Sequence, residues 1–384
     1  MPVNPRPAPV SPPAPKALVL GAGVAGLASA ISLRQGGWAV DVLEQAPEIA
    51  EVGAGLQISP NGVRALAALG IAPEAVGDMA GAIVLHDHRA RRVLRMPLPA
   101  RPGFFLCHRA DLIAALEGRA RELGAAVRLL QQVQAITLGA GQVSVETALG
   151  AGFDAGLVVG ADGLHSRLRP CLNATDAPAF TGHVAWRALI PGEGPGAEPP
   201  EVLVYMGPGR HVVSYPLRGG RLRNIVAVEA RPGWSAEGWN HTDDPENLRA
   251  AFAGFAGPVP GWLAQVERCF LWGLFRHPVA ARWQDGQGRA ALVGDAAHPT
   301  LPFLAQGANL ALEDAVALGK VLGADENGRA AALARFEAAR RPRAAAVIDA
   351  ATRNATLWHL RAPMSWPVHL GMRILERINP ALAL

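Results

Sequence analysis

The sequence is short of cysteine, of aromatic side chains and of long apolar runs. Cys107, Cys171 and Cys269 lie far apart and are odd in number. Their spacing matches no metal-ligand pattern, so no metal site is expected. They read as reduced, packed residues of a cytoplasmic protein. No apolar run approaches the ~20 residues that a membrane helix needs. No charged segment followed by an apolar core opens the chain, so no signal peptide is read. No block of Lys and Arg stands out, and a formal charge of +4 with a pI of about 9.4 is mild over 384 residues. Nucleic acid is therefore not an expected partner. A modest positive balance suits small anionic molecules. Aromatics make up only 5% of the chain while Ala and Gly are abundant, which favours α/β over an all-β sandwich.

Half of the residues are hydrophobic, so a large core is available. The length suggests two domains, or one large domain with an inserted sheet. Residues 1–15 are rich in proline (Pro2, Pro5, Pro7, Pro9, Pro12, Pro13, Pro15) and read as an extended, disordered tail.

Three stretches share one design, a short apolar strand that runs into glycine or an acid and then a helix start. The first is Lys16 to Leu20, followed by Gly21-Ala22-Gly23-Val24-Ala25-Gly26, a helix to about Gly36, and a second strand from Ala39 to Leu43. This is a βαβ unit with the dinucleotide fingerprint. Gly21 permits the tight turn, Gly23 lets the backbone approach a pyrophosphate, and Gly26 lets helix and strand pack closely. Glu44 follows Gly26 by 18 positions, near the ~20 expected of the acid that takes ribose hydroxyls. The fingerprint reports an ADP moiety and does not choose between NAD and FAD. The other glycine-rich stretch, Gly192 to Gly196, leads into prolines, so one dinucleotide fold is expected.

The second stretch is a buried strand from Ala155 to Val159 feeding Gly160-Ala161-Asp162-Gly163. Asp162 there is either a ligand-side acid at a strand's carboxyl end or part of a plain Asp-Gly turn. The third runs from Arg289 through Gly294-Asp295-Ala296-Ala297-His298-Pro299, Pro302 and Gln306 to a helix from Ala308 to Leu322. Asp295 offers a carboxylate to hydroxyls, and the helix start near Gly307 offers free N–H groups to negative charge. The same stretch also reads as ordinary turn and cap chemistry.

Between these stretches, Val52 to Ile58 reads as a flexible loop and short run, and Pro60-Asn61 opens a helix to about Leu69. Arg109 precedes a helix from about Ala110; locally it is a surface charge or a phosphate contact. From 182 to 275 strands dominate: Val184 to Ile190, Val202 to Met206, His211 to Tyr215, Asn224 to Val228 and Phe270 to Phe275. His211 and Tyr215 stand four apart, so on a strand they share a face. They either touch one small molecule or are ordinary sheet residues. Arg329 to Thr352 reads as a long helix, followed by broken helix to Leu375. These helices pack outside or make a subunit contact. Met364 and Trp366 are expected to pack in the core, the other reading being a partner surface.

The motifs in this order resemble the single-component (class A) flavoprotein aromatic hydroxylases. Within them the sequence is similar to the salicylate hydroxylase, 3-hydroxybenzoate 6-hydroxylase and 6-hydroxynicotinate 3-monooxygenase group. Gly21 to Gly26 carries the resemblance together with Gly160 to Gly163, Ser166 and Arg169, and with Gly294 to Pro299, Pro302, Gln306-Gly307, Asn309 and Glu313-Asp314-Ala315. His108 to Leu112, Val184 to Arg187 and His211 to Pro216 add to it. It covers residues 16 to 350 approximately, and it is more specific for the flavin fold than for the substrate. It implies a Rossmann-like FAD-binding domain (16–80, 101–180 and 282–325), an inserted, mostly β-sheet substrate domain (81–100 and 181–281), and C-terminal helices (326–384). The family often continues beyond a point like Leu384.

The resemblance also implies roles. Gly21, Gly23, Gly26, Glu44 and Gln45 hold the ADP half of FAD. Arg109 reaches its phosphate or ribityl region, which replaces the surface reading. Asp295 binds the ribityl chain, and the backbone of Gly307, Ala308 and Asn309 meets the isoalloxazine. Asp162 supports FAD and the passage of NAD(P)H, Gln57 faces the flavin, and Pro302 and Gln306 shape the substrate pocket. The implied reaction hydroxylates a small phenolic or hydroxypyridine acid with NAD(P)H and O₂, through a flavin C4a-hydroperoxide. A base with suitable pKa raises ring electron density by taking the phenol proton. His211 is expected in that role, with Tyr215 orienting substrate or sharing the proton path. A homodimer is the expected assembly. Two rivals use the same flavin motifs: a hydroxylase of a lipophilic quinone or secondary-metabolite precursor, and a non-catalytic flavin-binding redox sensor.

Overall fold

The computed structural model describes residues 14–49, 55–174, 177–196, 198–233, 241–323, 328–360 and 363–378. The proline-rich tail to residue 13 and the loop at 52–54 lie outside them. Five strands make a wholly parallel sheet in the order Ala290–Leu292, Leu157–Gly160, Lys16–Leu20, Ala39–Leu43, Ala126–Arg128. Ala17 to Leu20 are completely buried, as a central parallel strand covered on both faces must be. The fingerprint helix Val24–Gln35 packs against the helices Gly307–Val321 and Arg109–Glu122. The strand expected from Ala155 to Val159 is two strands. Gly152–Ala155 closes a three-stranded antiparallel meander, and the parallel strand begins at Leu157, after Gly156.

The second large element is an eight-stranded sheet. Its order is Thr242–Asp243, Cys269–Arg276, Ala179–Pro191, Leu222–Ala230, Arg210–Leu217, Glu201–Gly207, Ala82–Asp87, Arg92–Pro97. Only the pair 201–207 with 82–87 is parallel. One face carries Trp186, Tyr205, Val212, Ile225 and Ala227, and packs on Trp262 and Leu263 of the second of two short helices, at 245–251 and 259–264, and on Phe252 and Phe255 of the turn between them. These helices were not read from sequence. The other face carries Ala185, Val228, Trp272 and Leu274, and Phe303 from the loop after His298 packs on it. A small sheet of Gly55–Ile58, Phe105–His108 and Gly77–Met79 sits beside the strand Arg210–Leu217.

Two expectations are corrected. Cys107 and Cys269 are buried, but Cys171 is exposed, on a short helix at the surface. Met364 and Trp366 are not core residues: they are 65% and 67% exposed. The helix Ser365–Ile378 turns Val368 and Met372 onto the sheet. At about 100° per residue, Trp366 and Leu370 then point away from it.

Candidate active site

The first part of the site is a cradle at the end of the strand Lys16–Leu20. Gly21 has φ +93, and a Cβ there would lie 2.7 Å from the carbonyl oxygen of Ala161. A Cβ on Gly26 would fall 1.9 Å from the oxygen of Gly21, so only glycine lets the helix approach the turn. In front of Gly23 the space is open, with nothing within 4 Å of an added Cβ. Gly23 is also the N-cap and supplies no side-chain cap, so the first N–H groups of the helix are left to another acceptor. Glu44 braces this loop: its carboxylate accepts the N–H of Ala22 at 2.7 Å and of Ala46 at 2.9 Å. Carboxylate oxygens have further lone pairs for hydroxyls. Gln45 is exposed beside it.

The second part gathers around Asp295. Its carboxylate is exposed, yet protein crowds it, and that crowding pushes its pKa above the ordinary value. His298, Arg109 and His277 act in the opposite direction, which places Arg109 within electrostatic reach of Asp295. Asp162 accepts the N–H of Arg167 at 2.6 Å through Oδ2, while its buried Oδ1 has no partner among the described residues. Burial raises its pKa too. Arg169 joins the second motif to the third by donating to the carbonyls of Ala296 and Pro278.

The helix Gly307–Val321 begins without a side-chain cap, so the N–H groups of Gly307, Ala308 and Asn309 point out of its end. Pro302 opens a single turn, Pro302–Leu304, just before it. Gln306 donates to Ser59 Oγ at 3.0 Å and accepts from Asn61 at 3.2 Å. The side chain of Asn309 is fully buried. It accepts the N–H of Ser59 and donates to the carbonyls of Gln57 and Ala305. It therefore clamps Gln57 and its strand to the helix and leaves only its backbone for a ligand.

Behind this loop lies a buried ion network. Asp314 accepts from the Gly294 N–H at 3.0 Å, from His298 Nε2 and from Arg340 Nε at 2.7 Å. Arg340 and Arg343 share Glu313. Despite burial, these cations hold the carboxyl of Asp314 below the usual range, and Asp314 holds His298 above it.

The third part is the sheet face. Arg187, Val226 and Val213 pair in register across three strands, so they point the same way. His211 and Tyr215 flank Val213 on that face. Arg187 lies over the Trp272 ring, 4.7 Å from its centroid, and is near enough to Tyr215 to favour its ionised form. Burial is the stronger influence and raises the Tyr215 pKa. The Tyr215 ring packs so close to Gly55 that an added Cβ would meet its oxygen at 2.7 Å. Gln57 is its hydrogen-bonding neighbour. His211 is 2% exposed and has different neighbours, Phe303, Trp358 and His359. The two residues share a face, as expected, but do not share partners.

His211 Nδ1 lies 2.7 Å from His359 Nε2, and His359 Nδ1 lies 3.1 Å from His183 Nε2. His183 Nδ1 meets the Thr181 carbonyl at 3.0 Å. A carbonyl only accepts, so His183 carries its proton on Nδ1. The same logic puts the proton on Nδ1 of His359 and then of His211. This leaves a lone pair on His211 Nε2. Burial, then the neighbouring imidazoles, lower the pKa of His211 well below its ordinary value; His359 is lowered to about 3.

Sequence reading gave no site role to four of these parts, although Arg187 and Asp314 stand in its motifs. Arg187 is one; strand alternation could have flagged it, but its face depends on register. His183, His359 and the Asp314–Arg340 pair give no local signal. His359 lies 148 positions from His211.

The family described as FAD binding domain matches residues 15–351. The 3-amino-4-hydroxybenzoate 2-monooxygenase of Streptomyces cremeus is 38% identical, over 89% of this chain and 87% of that protein. The 3-hydroxybenzoate 6-hydroxylase of Polaromonas naphthalenivorans is 33% identical, over 89% and 88%. Among solved structures, Klebsiella pneumoniae HpxO complexed with FAD and uric acid superposes with a TM-score of 0.82 at 28% identity, covering 94% of each chain.

Proposed function

Because the chain belongs to the FAD-binding family, in its group of FAD-dependent aromatic-ring monooxygenases, we propose that it uses NAD(P)H and O₂ to hydroxylate a small phenolic acid. The substrate lies between the eight-stranded sheet and the loop 299–306. The carrying observation is that a neutral base, His211, and a cation, Arg187, share one sheet face. A phenol needs the first and a carboxylate the second. A greasy quinone precursor needs neither.

The residues present fit FAD. The open space before Gly23, the uncapped start of its helix and the brace of Glu44 suit a pyrophosphate and ribose, with Gln45 beside them. Arg109 and Asp295 suit the phosphate and ribityl region. Unpartnered Asp162 Oδ1 and the N–H groups of Gly307, Ala308 and Asn309 suit the flavin end. When bound, FAD supplies the reductive activation of oxygen.

The protein's own residues do the rest. Arg187 orients the carboxylate by a charge-assisted hydrogen bond. His211 Nε2 takes the phenol proton and raises ring electron density. Tyr215, braced by Gly55 and Gln57, fixes the ring from the other side. Phe303 and the loop from Pro302 to Gln306 keep water out. The division into a cofactor part (16–80, 101–180, 282–325) and a substrate part (81–100, 181–281) belongs to this reading, as does a homodimer. Its three free cysteines suit a reducing compartment, the cytoplasm.

The test is NADH and NADPH oxidation by the FAD-loaded protein with a panel of hydroxybenzoates, aminohydroxybenzoates and hydroxypyridine acids, measuring hydroxylated product and peroxide together. Stimulated oxidation with product is expected for at least one acid. Stimulation only by uncharged lipophilic phenols would overturn the acid reading.

A further inference from the structure

His211 is a poor resting place for a proton. It is buried, and among the described residues only the His359 and His183 imidazoles act on its charge. The strands and the turn packed around it offer Met206, Val228 and Phe303, none of them titratable. A base in this setting functions only if the proton moves on. The three-ring geometry supplies a route. His359, at the end of the helix Arg329–Trp358, is fixed by both ring nitrogens, and its carbonyl accepts the Gly209 N–H at 3.1 Å. His183 at the far end is half-buried, within reach of water.

We propose that His359 and His183 form a proton wire that carries the substrate's phenolic proton from His211 to solvent. The inference rests on the reading of His211 as the base. The balance is one proton in and one out. The substrate O–H bond breaks as His211 Nε2–H forms. His211 Nδ1–H breaks as His359 Nε2–H forms, and His359 Nδ1–H breaks as His183 Nε2–H forms. His183 then turns its Nδ1–H from the Thr181 carbonyl and releases that proton to water. Each ring ends neutral with its proton on Nε2. The reverse sequence returns one proton to the product phenolate and restores the starting tautomers. His359 stands behind His211 and His183 behind His359 in the chain of rings, so they are positioning and relay residues.

Two measurements on the FAD-loaded enzyme test this. First, ¹⁵N-histidine NMR without substrate at pH 7 should show Nδ1–H tautomers for the three rings, assigned by loss of each signal in His183→Gln, His359→Gln and His211→Gln. A protonated or Nε2–H His359 would overturn the wire. Second, rapid mixing with 3-amino-4-hydroxybenzoate in weak buffer with an indicator dye follows proton release, while absorbance follows phenolate formation. His359→Gln and His183→Gln should slow proton release roughly tenfold with FAD content unchanged, and added imidazole should restore it in His359→Ala. His211→Gln should abolish phenolate formation. Loss in His211→Gln with wild-type release in both relay variants sinks the wire but keeps the base. Phenolate formation that survives in His211→Gln sinks both. A wild-type enzyme that binds the probe without ionising it also removes the base reading.

Discussion

Arg187 and His211 sit on one face of the sheet, and the two tasks proposed for them have separate kinetic signatures. A guanidinium that holds a carboxylate contributes to binding in the ground state and the transition state alike. Arg187→Met should therefore raise the KM of the acid substrate, roughly 10- to 100-fold, with a smaller effect on kcat. The matching carboxamide should lose little between the wild type and the variant. Equal losses for acid and amide would show that Arg187 serves packing over Trp272 and not charge recognition. The half-buried Val213 between His211 and Tyr215 explains how two buried polar groups can still flank a ligand.

At the scale of the element, the turn from Gly294 to His298 is held by charge. His298 has a raised pKa, so its support for the fold is complete below the ordinary imidazole value of 6.5 and fades as pH rises through the raised value. Asp314 has a lowered pKa, so its support is complete above 3.8 and fades as pH falls through the lowered value. The two overlap fully between 3.8 and 6.5. Thermal melts should show the wild type most stable relative to His298→Gln inside that window, with the gap closing on the alkaline side. A gap independent of pH would mean that His298 contributes by packing on Trp283 alone. Much of this element was legible in sequence. The apolar run before Gly294, the acid, the prolines and the helix formers after Gly307 are local signals of strand, turn and helix. The partners of that element were not legible. Arg340 reaches it from a different helix, and no local pattern ties position 340 to position 314. The split at Gly156 was missed because apolar residues continue across it and only pairing reveals two strands. Trp366 was misplaced because Met364, Pro367 and Val368 beside it are apolar, while the phase of its helix was set by Val368 and Met372.

For the whole molecule, the loop 299–306 joins the turn at Gly294 to the eight-stranded sheet through Phe303. Phe303 is nearly buried against Ala185, Val228, Trp272 and Leu274 of the sheet, beside His211 and His183. Phe303→Ala should cost about 3–5 kcal/mol of stability by leaving a cavity. It should also raise the fraction of NADH oxidation that ends in peroxide, since water enters where the ring stood. Melting and a peroxide assay on one preparation measure both. A fall in stability with unchanged coupling would leave the ring as a structural wedge only. The cofactor cradle is assembled from parts spread along the chain. Its first glycine is residue 21 and its first acid residue 44, while the brace under Asp295 is completed by Arg340. Ribosomes deliver these parts in order. The nascent chain thus carries its nucleotide fingerprint through most of its synthesis before the helix Arg329–Trp358 emerges to complete the brace behind Gly294.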